Sequence, residues 1–294
     1  MAESTGTIDR LINDAIAFLH VGDANDPRSE TVVELGKKAF AEFDRRTDAT
    51  TLEAVIKLSK SADNTRKRLG AAVLGNLGRR SPDHPGGVFG EERYHALRDM
   101  LDTEIAAGAD PDILGQVCSA FSNLQDRRAV ALVLPFIAHS NAELRSDVAL
   151  ALAGHDDEAA IEGLIRLSAD PDDGVRALAT LGFQQIDADS AAIRAALHAR
   201  LTDCSDDIRD DAITALAQRN DRTVLPFLSQ ALTGPEPHLL LDLARKLEDP
   251  SLCPALEQAW NTISGHTADK PARDHWRKRW LAAMAACGCP VKDR

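Results

Sequence analysis

A few stretches carry residue types whose spacing could do chemistry. Asp170 to Gly182 reads DPDDGVRALATLG and Asp203 to Asp211 reads DCSDDIRDD, and clustered carboxylates of this kind can hold calcium. A calcium loop needs oxygen ligands at positions 1, 3 and 5, glycine at 6 and glutamate at 12. Counted from Asp170, the last three of those places fall on Gly174, Val175 and Leu181, and the second stretch lacks the glycine and the closing glutamate. Both therefore read as turns with a helix cap. Cys287-Gly288-Cys289, with His266 and His275 upstream, could offer metal ligands, but this spacing is not one that zinc uses. His275 to Trp280 reads HWRKRW and interleaves bases with aromatics. On a helix, however, Trp276, Trp280 and Met284 lie one turn apart and form the apolar stripe of a capping helix. GxSxG, HExxH and phosphate-loop signatures are absent, and GGVFGEER follows no strand, so neither hydrolase nor nucleotide chemistry is indicated.

The elements that would position such residues must come from a chain of 294 residues, long enough for a substantial core. Aromatics make up only 4%; a core of Ala, Leu, Ile and Val suits closely packed helices better than a β-sandwich. A formal net charge of -12 disfavours nucleic acid, which needs a basic footprint, and favours a basic or neutral partner besides keeping the chain soluble. No apolar stretch approaches the roughly 18 residues of a membrane span. MAESTGTIDRLINDA at the start lacks the pattern of a secretory signal. Cys118, Cys204, Cys253, Cys287 and Cys289 are scattered and odd in number. They read as reduced thiols, so a cytoplasmic setting is expected, and no cofactor.

The chain repeats itself. Ile113, Leu144, Val175, Ile208 and Leu239 are spaced by 31, 31, 33 and 31 residues. Four residues on stand Val117, Val148, Ala179, Ala212 and Leu243; eight on, Phe121, Leu152, Phe183, Leu216 and Leu247. Offsets of 0, 4 and 8 share one face of a helix, here termed helix B. Asp126, Asp157, Asp189, Asp221 and Asp249 keep nearly the same period and precede a second apolar run, helix A, as N-caps would. Pro226 falls in the first turn of its helix A, where a missing donor costs little, whereas Pro135 lies deeper and predicts a kink. Neither helix can bury its face alone, but stacked pairs build a continuous core. The expected organisation is an atypical N-terminal helix pair over 1–47, repeats over 48–251 with a turn-rich insertion at 79–90, and capping helices with a tail over 252–294.

These residues resemble the HEAT-like repeat family, whose two-helix units carry an acidic turn, then Val-Arg, then an Ala/Leu-rich helix ending in Leu-Gly. DPDDGVRALATLG is the best match, followed by NAELRSDVALALAG and DDIRDDAITALAQ, and the likeness runs over about Asp48 to Asp249. The resemblance implies an all-α, right-handed α-solenoid of stacked antiparallel helix pairs. Helices A would line its outer face and helices B an inner face that binds proteins or peptides. Arg145, Arg176 and Arg209 match the family's arginine. Their implied role is a ladder tying neighbouring turns, with Asp172, Asp173, Asp206 and Asp207 as acceptors. Fold does not fix function. Among enzymes with such repeats, deoxyhypusine hydroxylases carry His-Glu dipeptides, absent here, and the acidic balance argues against the DNA glycosylases.

Function is therefore sought on the helix B rows. Three residues beyond each reference point come Gln116, Asp147, Leu178, Asp211 and Asp242; six beyond, Ser119, Leu150, Leu181, Thr214 and Arg245. The rows are apolar in the middle and acidic on the flanks. They predict a non-catalytic binding module or scaffold whose groove holds a protein or peptide with basic flanks, and neither nucleic acid nor membrane. Leu150, Leu178 and Leu181 could equally pack between repeats. A narrower form is an inhibitor or immunity protein that blocks a basic toxin or enzyme. The alternative from the enzymes is a bilin-lyase-like enzyme or chaperone.

Overall fold

A computed structural model describes residues 2–19, 29–79, 83, 87–108, 110–266 and 269–290, and among these helix follows helix with no strand. The chain divides into two units, Met1–Gly163 and Leu164–Arg294. In the first, α1 (Ala2–Leu19) packs on α2 (Ser29–Phe43), α3 (Ala49–Ser59) on α4 (Asn64–Asn76), and α5 (Gly90–Ala107) on α6 (Pro111–Leu124). α7 (Ala129–Val133) packs on α8 (Ala142–Leu152). The second helices also stack in sequence, α4 on α6 and α6 on α8. The unit boundary falls inside α9 (Glu158–Leu167). The second unit holds α10 (Asp173–Gly182), α11 (Ala191–Arg200), α12 (Asp206–Gln218), α13 (Leu225–Ala231), α14 (Leu241–Leu247), α15 (Cys253–His266) and α16 (Lys270–Ala286). There α10, α12, α14 and α16 form the B stack. Half of the turn-rich insertion, 80–82 and 84–86, lies outside the described residues.

Local chemistry sets the helix starts. Asp63, Asn141 and Asp172 cap α4, α8 and α10, each side chain accepting from the N–H three residues on. This satisfies one of the donors a helix N-terminus leaves orphaned. Ser190 rather than Asp189 caps α11, because Asp189 is engaged by Arg194. Pro135 ends α7 early, and a 3-10 turn, Leu134–Phe136, completes the helix; Pro226 sits in the first turn of α13.

In the first four copies the residues at offsets 0, 4 and 8 are buried: Ile113, Val117 and Phe121, then Leu144, Val148 and Leu152, Val175, Ala179 and Phe183, and Ile208, Ala212 and Leu216. The fifth copy departs. Leu239 is 61% exposed and Leu243 only half-buried, with Leu240, Leu241 and Ala244 buried in their place, while Leu247 is buried as expected. Pro237 opens a 3-10 turn over Pro237–Leu240. Its tighter winding of three residues per turn moves the register before α14 begins.

Two buried polar devices hold the stack. Arg93 of α5 is only 1% exposed. Its Nε donates to the Leu74 carbonyl at 2.5 Å, Nη2 to that of Gly75 at 2.6 Å and Nη1 to that of Val88 at 3.2 Å. Leu74 and Gly75 lie in the last turn of α4, whose carbonyls lack intrahelical donors. Burial lowers the Arg93 pKa to about 10, so the guanidinium stays charged at neutral pH. In the same place α4 and α6 approach so closely that a Cβ on Gly75 would stand 2.8 Å from the Ala120 Cα.

The second device corrects the expected arginine ladder. Arg145, Arg176 and Arg209 each fold back onto carbonyls of the turn before their own helix: His139 and Ser140, Asp170 and Pro171, and Asp203. Asp172 is occupied as the cap of α10, and Asp206 pairs with Arg209 on its own helix. Asp203 receives Arg176 from the preceding repeat. It takes Arg176 in a fork at 2.9 and 3.1 Å and Arg200 at 3.2 Å. The Arg176 fork, helped by the Ser205 N–H and the Cys204 thiol, holds the Asp203 carboxyl down at about 2 against the opposing effect of burial. A parallel series crosses between repeats at the starts of helices A, from Arg127 to Asp157, Arg194 to Asp221 and Arg222 to Asp249.

Candidate functional site

In the first unit the B stack bears a polar cavity of about 190 Å³. Three consecutive B helices wall it: Arg68 comes from α4, Asp112, Gln116 and Ser119 from α6, and Glu143 and Asp147 from α8. Arg66 stands at the arginine place of its copy, so Arg68 occupies the same repeat position as Gln116 and Asp147. The helical period therefore puts one polar group from each repeat along one line.

Asp147 is the unusual member. It is half-buried, yet its carboxylate has neither a hydrogen bond nor an ion pair to any described residue. Burial, and then the charge of Glu143, raises its pKa to about 6. Its room comes from the facing helix, where a Cβ on Gly115 would collide with the Asp147 Oδ2. The neighbouring Cys118 thiol is fully buried, and burial followed by Asp147 pushes its pKa up, which makes it a poor nucleophile.

A carboxyl that binds its proton more tightly in the fold than at the ordinary 3.8 costs stability once it is charged. The cost is full above about pH 6 and fades as pH falls toward 4. Asp147→Asn is therefore expected to stabilise the first unit at about pH 7.5 by on the order of 1 kcal/mol, allowing for solvent screening. Thermal melts of variant and parent should converge near pH 4. Equal melting temperatures at both pH values would contradict the account.

The other expected row residues are disposed differently. Leu150, Leu178 and Leu181 are half-buried. Asp211 accepts from Gln184 Nε2 at 2.7 Å, so it ties α12 to the end of α10. Thr214 donates to the Asp210 carbonyl of its own helix. Asp242 and Arg245 belong to the copy whose register moved, and Asp242 is held by Arg279 of α16 and by Arg245. Of the three acids expected to face a groove, only Asp147 is left without a partner among the described residues. Arg68, Asn141 and Glu143 were not anticipated as part of the site. Arg68 was within reach of the same reasoning, had the row been extended one repeat earlier.

The remaining chemical candidates become structural. Trp280 is buried, stacks on Trp260 and donates Nε1–H to the Leu256 carbonyl at 2.7 Å. Trp276 packs against His238 and Arg279. Cys289 is not a free thiol: it is bonded to Cys253. This corrects the reading of five reduced cysteines and removes the ground on which cysteine usage argued for a cytoplasmic setting. The pairing was invisible because the two residues are 36 apart in sequence and meet only through the packing of α15 and α16. Among the described residues no three His, Cys, Asp or Glu side chains gather where they could hold a metal, and no helix is long and apolar enough to cross a membrane.

A family model and one solved structure support the architecture. Residues 99–184 match the family model described as HEAT repeats. No curated protein matches the chain. Among solved structures the chain is similar to YibA of Escherichia coli, with a TM-score of 0.57 and 17% identity over 96% of this chain and 97% of that one. An archaeal HEAT-like repeats protein from Thermococcus onnurineus NA1 aligns over 85% of this chain and 97% of its own, with a TM-score of 0.38 and 14% identity.

Proposed function

We propose that this stack of HEAT-like repeats is a non-catalytic protein-binding module and that the B-helix side of its first unit is the docking face. The observation that carries this reading is the cavity between α4, α6 and α8, where successive repeats offer Arg68, Gln116 and Asp147 and the Asp147 carboxylate is unmatched among the described residues. A half-buried charge without a partner costs stability, and a complementary group on a bound protein would relieve that cost. The excess of acid in the chain and in the cavity favours a partner with a basic segment. A protein or peptide laid across consecutive B helices would meet one side chain from each repeat, which is how repeat stacks present extended binding surfaces.

The test is affinity purification from the native cell with three forms of the full chain: parent, Gln116→Trp/Asp147→Lys, and Glu162→Lys on the exposed face of α9. The first variant fills the cavity and reverses its charge; the second changes charge at a helix A. A partner bound by the parent and by the Glu162 variant, but weakened at least about tenfold by the cavity variant, is the expected result. All forms should keep the helical circular dichroism of the parent. Undiminished binding by a folded cavity variant would overturn the reading.

A further inference from the structure

We propose that the cavity between α4, α6 and α8 is a receptor for a single arginine side chain of the bound protein. This rests on the protein-binding reading and names the group that the face recognises. Charge is the first ground. The cavity gathers three carboxylates, Asp112, Glu143 and Asp147, against one cation, Arg68. Geometry is the second. The Asp147 carboxylate has no hydrogen-bond or ion-pair partner among the described residues, and it is half-buried. Opposite it α6 carries Gly115, whose missing Cβ leaves the space that the carboxylate occupies. Glycine inside a helix costs about 1 kcal/mol relative to alanine, and at this position it keeps the carboxylate in place.

Size and acceptor chemistry select the occupant. At about 190 Å³ the cavity is smaller than the roughly 300–1,000 Å³ of ordinary small-molecule sites, which suits one side chain better than a cofactor. Its acceptors stand on two helices: the Asp147 and Glu143 carboxylates on α8, and the Gln116 carbonyl oxygen and Ser119 hydroxyl on α6. A guanidinium presents five donors in a planar fork and sheds water more readily than an ammonium. It can bridge both walls, whereas lysine brings one nitrogen. Arg68 on the third wall leaves the cavity with a single positive rim, suited to a carbonyl oxygen of the partner's backbone.

The test uses the isotope-labelled full chain and nuclear magnetic resonance, with Nα-acetyl-arginine amide as probe. Nα-acetyl-citrulline amide, of the same shape without the charge, and Nα-acetyl-lysine amide serve as comparisons. Saturable shifts are expected at the amides of Gly115, Gln116 and Asp147, with the arginine probe binding about tenfold more tightly than either comparison. Asp147→Asn should abolish the shifts while leaving the rest of the spectrum unchanged, and Gly115→Ala should weaken them. The proposal is overturned if no saturable shift occurs at those amides, if the citrulline probe binds as well as arginine, or if Asp147→Asn binds undiminished. Because the probe contains no partner protein, such a failure beside retained partner loss in the Gln116→Trp/Asp147→Lys variant removes the arginine receptor alone. Loss of both removes the docking face as well.

Discussion

Arg93→Met is expected to destabilise the first unit by about 3 kcal/mol or more. Methionine matches the length of the buried stem but supplies no donor. It leaves the Leu74 and Gly75 carbonyls at the end of α4, and that of Val88, without the hydrogens that Arg93 gives them. A hydrogen bond to a charged donor contributes about 1.5–3 kcal/mol, and a buried acceptor left unpaired costs a further 1–3 kcal/mol. These three hydrogen bonds run to backbone carbonyls rather than to a carboxylate, so the loss measures the carbonyl cradle itself. Arg93→Lys should recover only a small part, because one nitrogen cannot reach three carbonyls spread over two segments. Urea unfolding followed by circular dichroism reads the effect. A Met variant within about 0.5 kcal/mol of the parent, the range of ordinary surface substitutions, would show that the cradle does not hold α5 to α4.

Asp203→Ala is expected to cost the second unit about 3–5 kcal/mol, the range found when one partner of a buried ion pair is removed. Only 4% of the Asp203 side chain is exposed, and its loss takes the acceptor from Nε and Nη2 of Arg176 and from Nη1 of Arg200, two side chains that are themselves largely covered. The same site makes the second unit acid-sensitive. The folded pKa near 2 lies below the ordinary 3.8, so the stabilisation is present above about pH 4 and is lost as pH falls toward 2. The parent should therefore lose stability over that window by more than the alanine variant does. All three tryptophans, Trp260, Trp276 and Trp280, lie in the second unit, so fluorescence-detected urea unfolding reports on it directly. Equal midpoints for variant and parent would remove Asp203 from the list of stabilising contacts.

Helix B was legible in the sequence because burial follows a 3.6-residue period. Wherever that period ran undisturbed, as from Ile113 through Leu216, the predicted faces are the buried ones. It failed at Leu239, where the 3-10 turn opened by Pro237 changes the winding, so that Leu240, Leu241 and Ala244 are buried in place of Leu239 and Leu243. The family resemblance marked Arg145, Arg176 and Arg209 for a ladder, but Arg145 and Arg209 fold back onto their own turns, and Asp203, the acceptor of Arg176, was not foreseen. The acidic pairs closest in sequence are used as caps or lie exposed, and Asp203 is selected by how far a guanidinium reaches across the turn. Arg93, in the stretch GEERYHALRDM, reads as one more charge on a surface helix, and only the end of α4 above it makes it interior. Gln116 and Asp147 were legible as row positions, but which acid remains unpaired depends on tertiary neighbours such as Gln184 and Arg279.

A stack of repeats needs all its apolar faces for its own stability, which leaves recognition to the polar positions between them. In the first unit Arg68, Gln116 and Asp147 from three successive repeats line one cavity, and the half-buried Asp147 carboxylate has no partner among the described residues. Site-specific photo-cross-linking in the native cell tests this most directly. A photoreactive amino acid is placed at Gln116, in the cavity, or at Glu162, on the exposed face of α9. The adduct is identified by mass spectrometry and confirmed with the purified protein. The account predicts one discrete adduct from position 116, carrying a basic segment at the linked site, and none from position 162. Cross-links of the same protein from both positions, or from 162 alone, would contradict it.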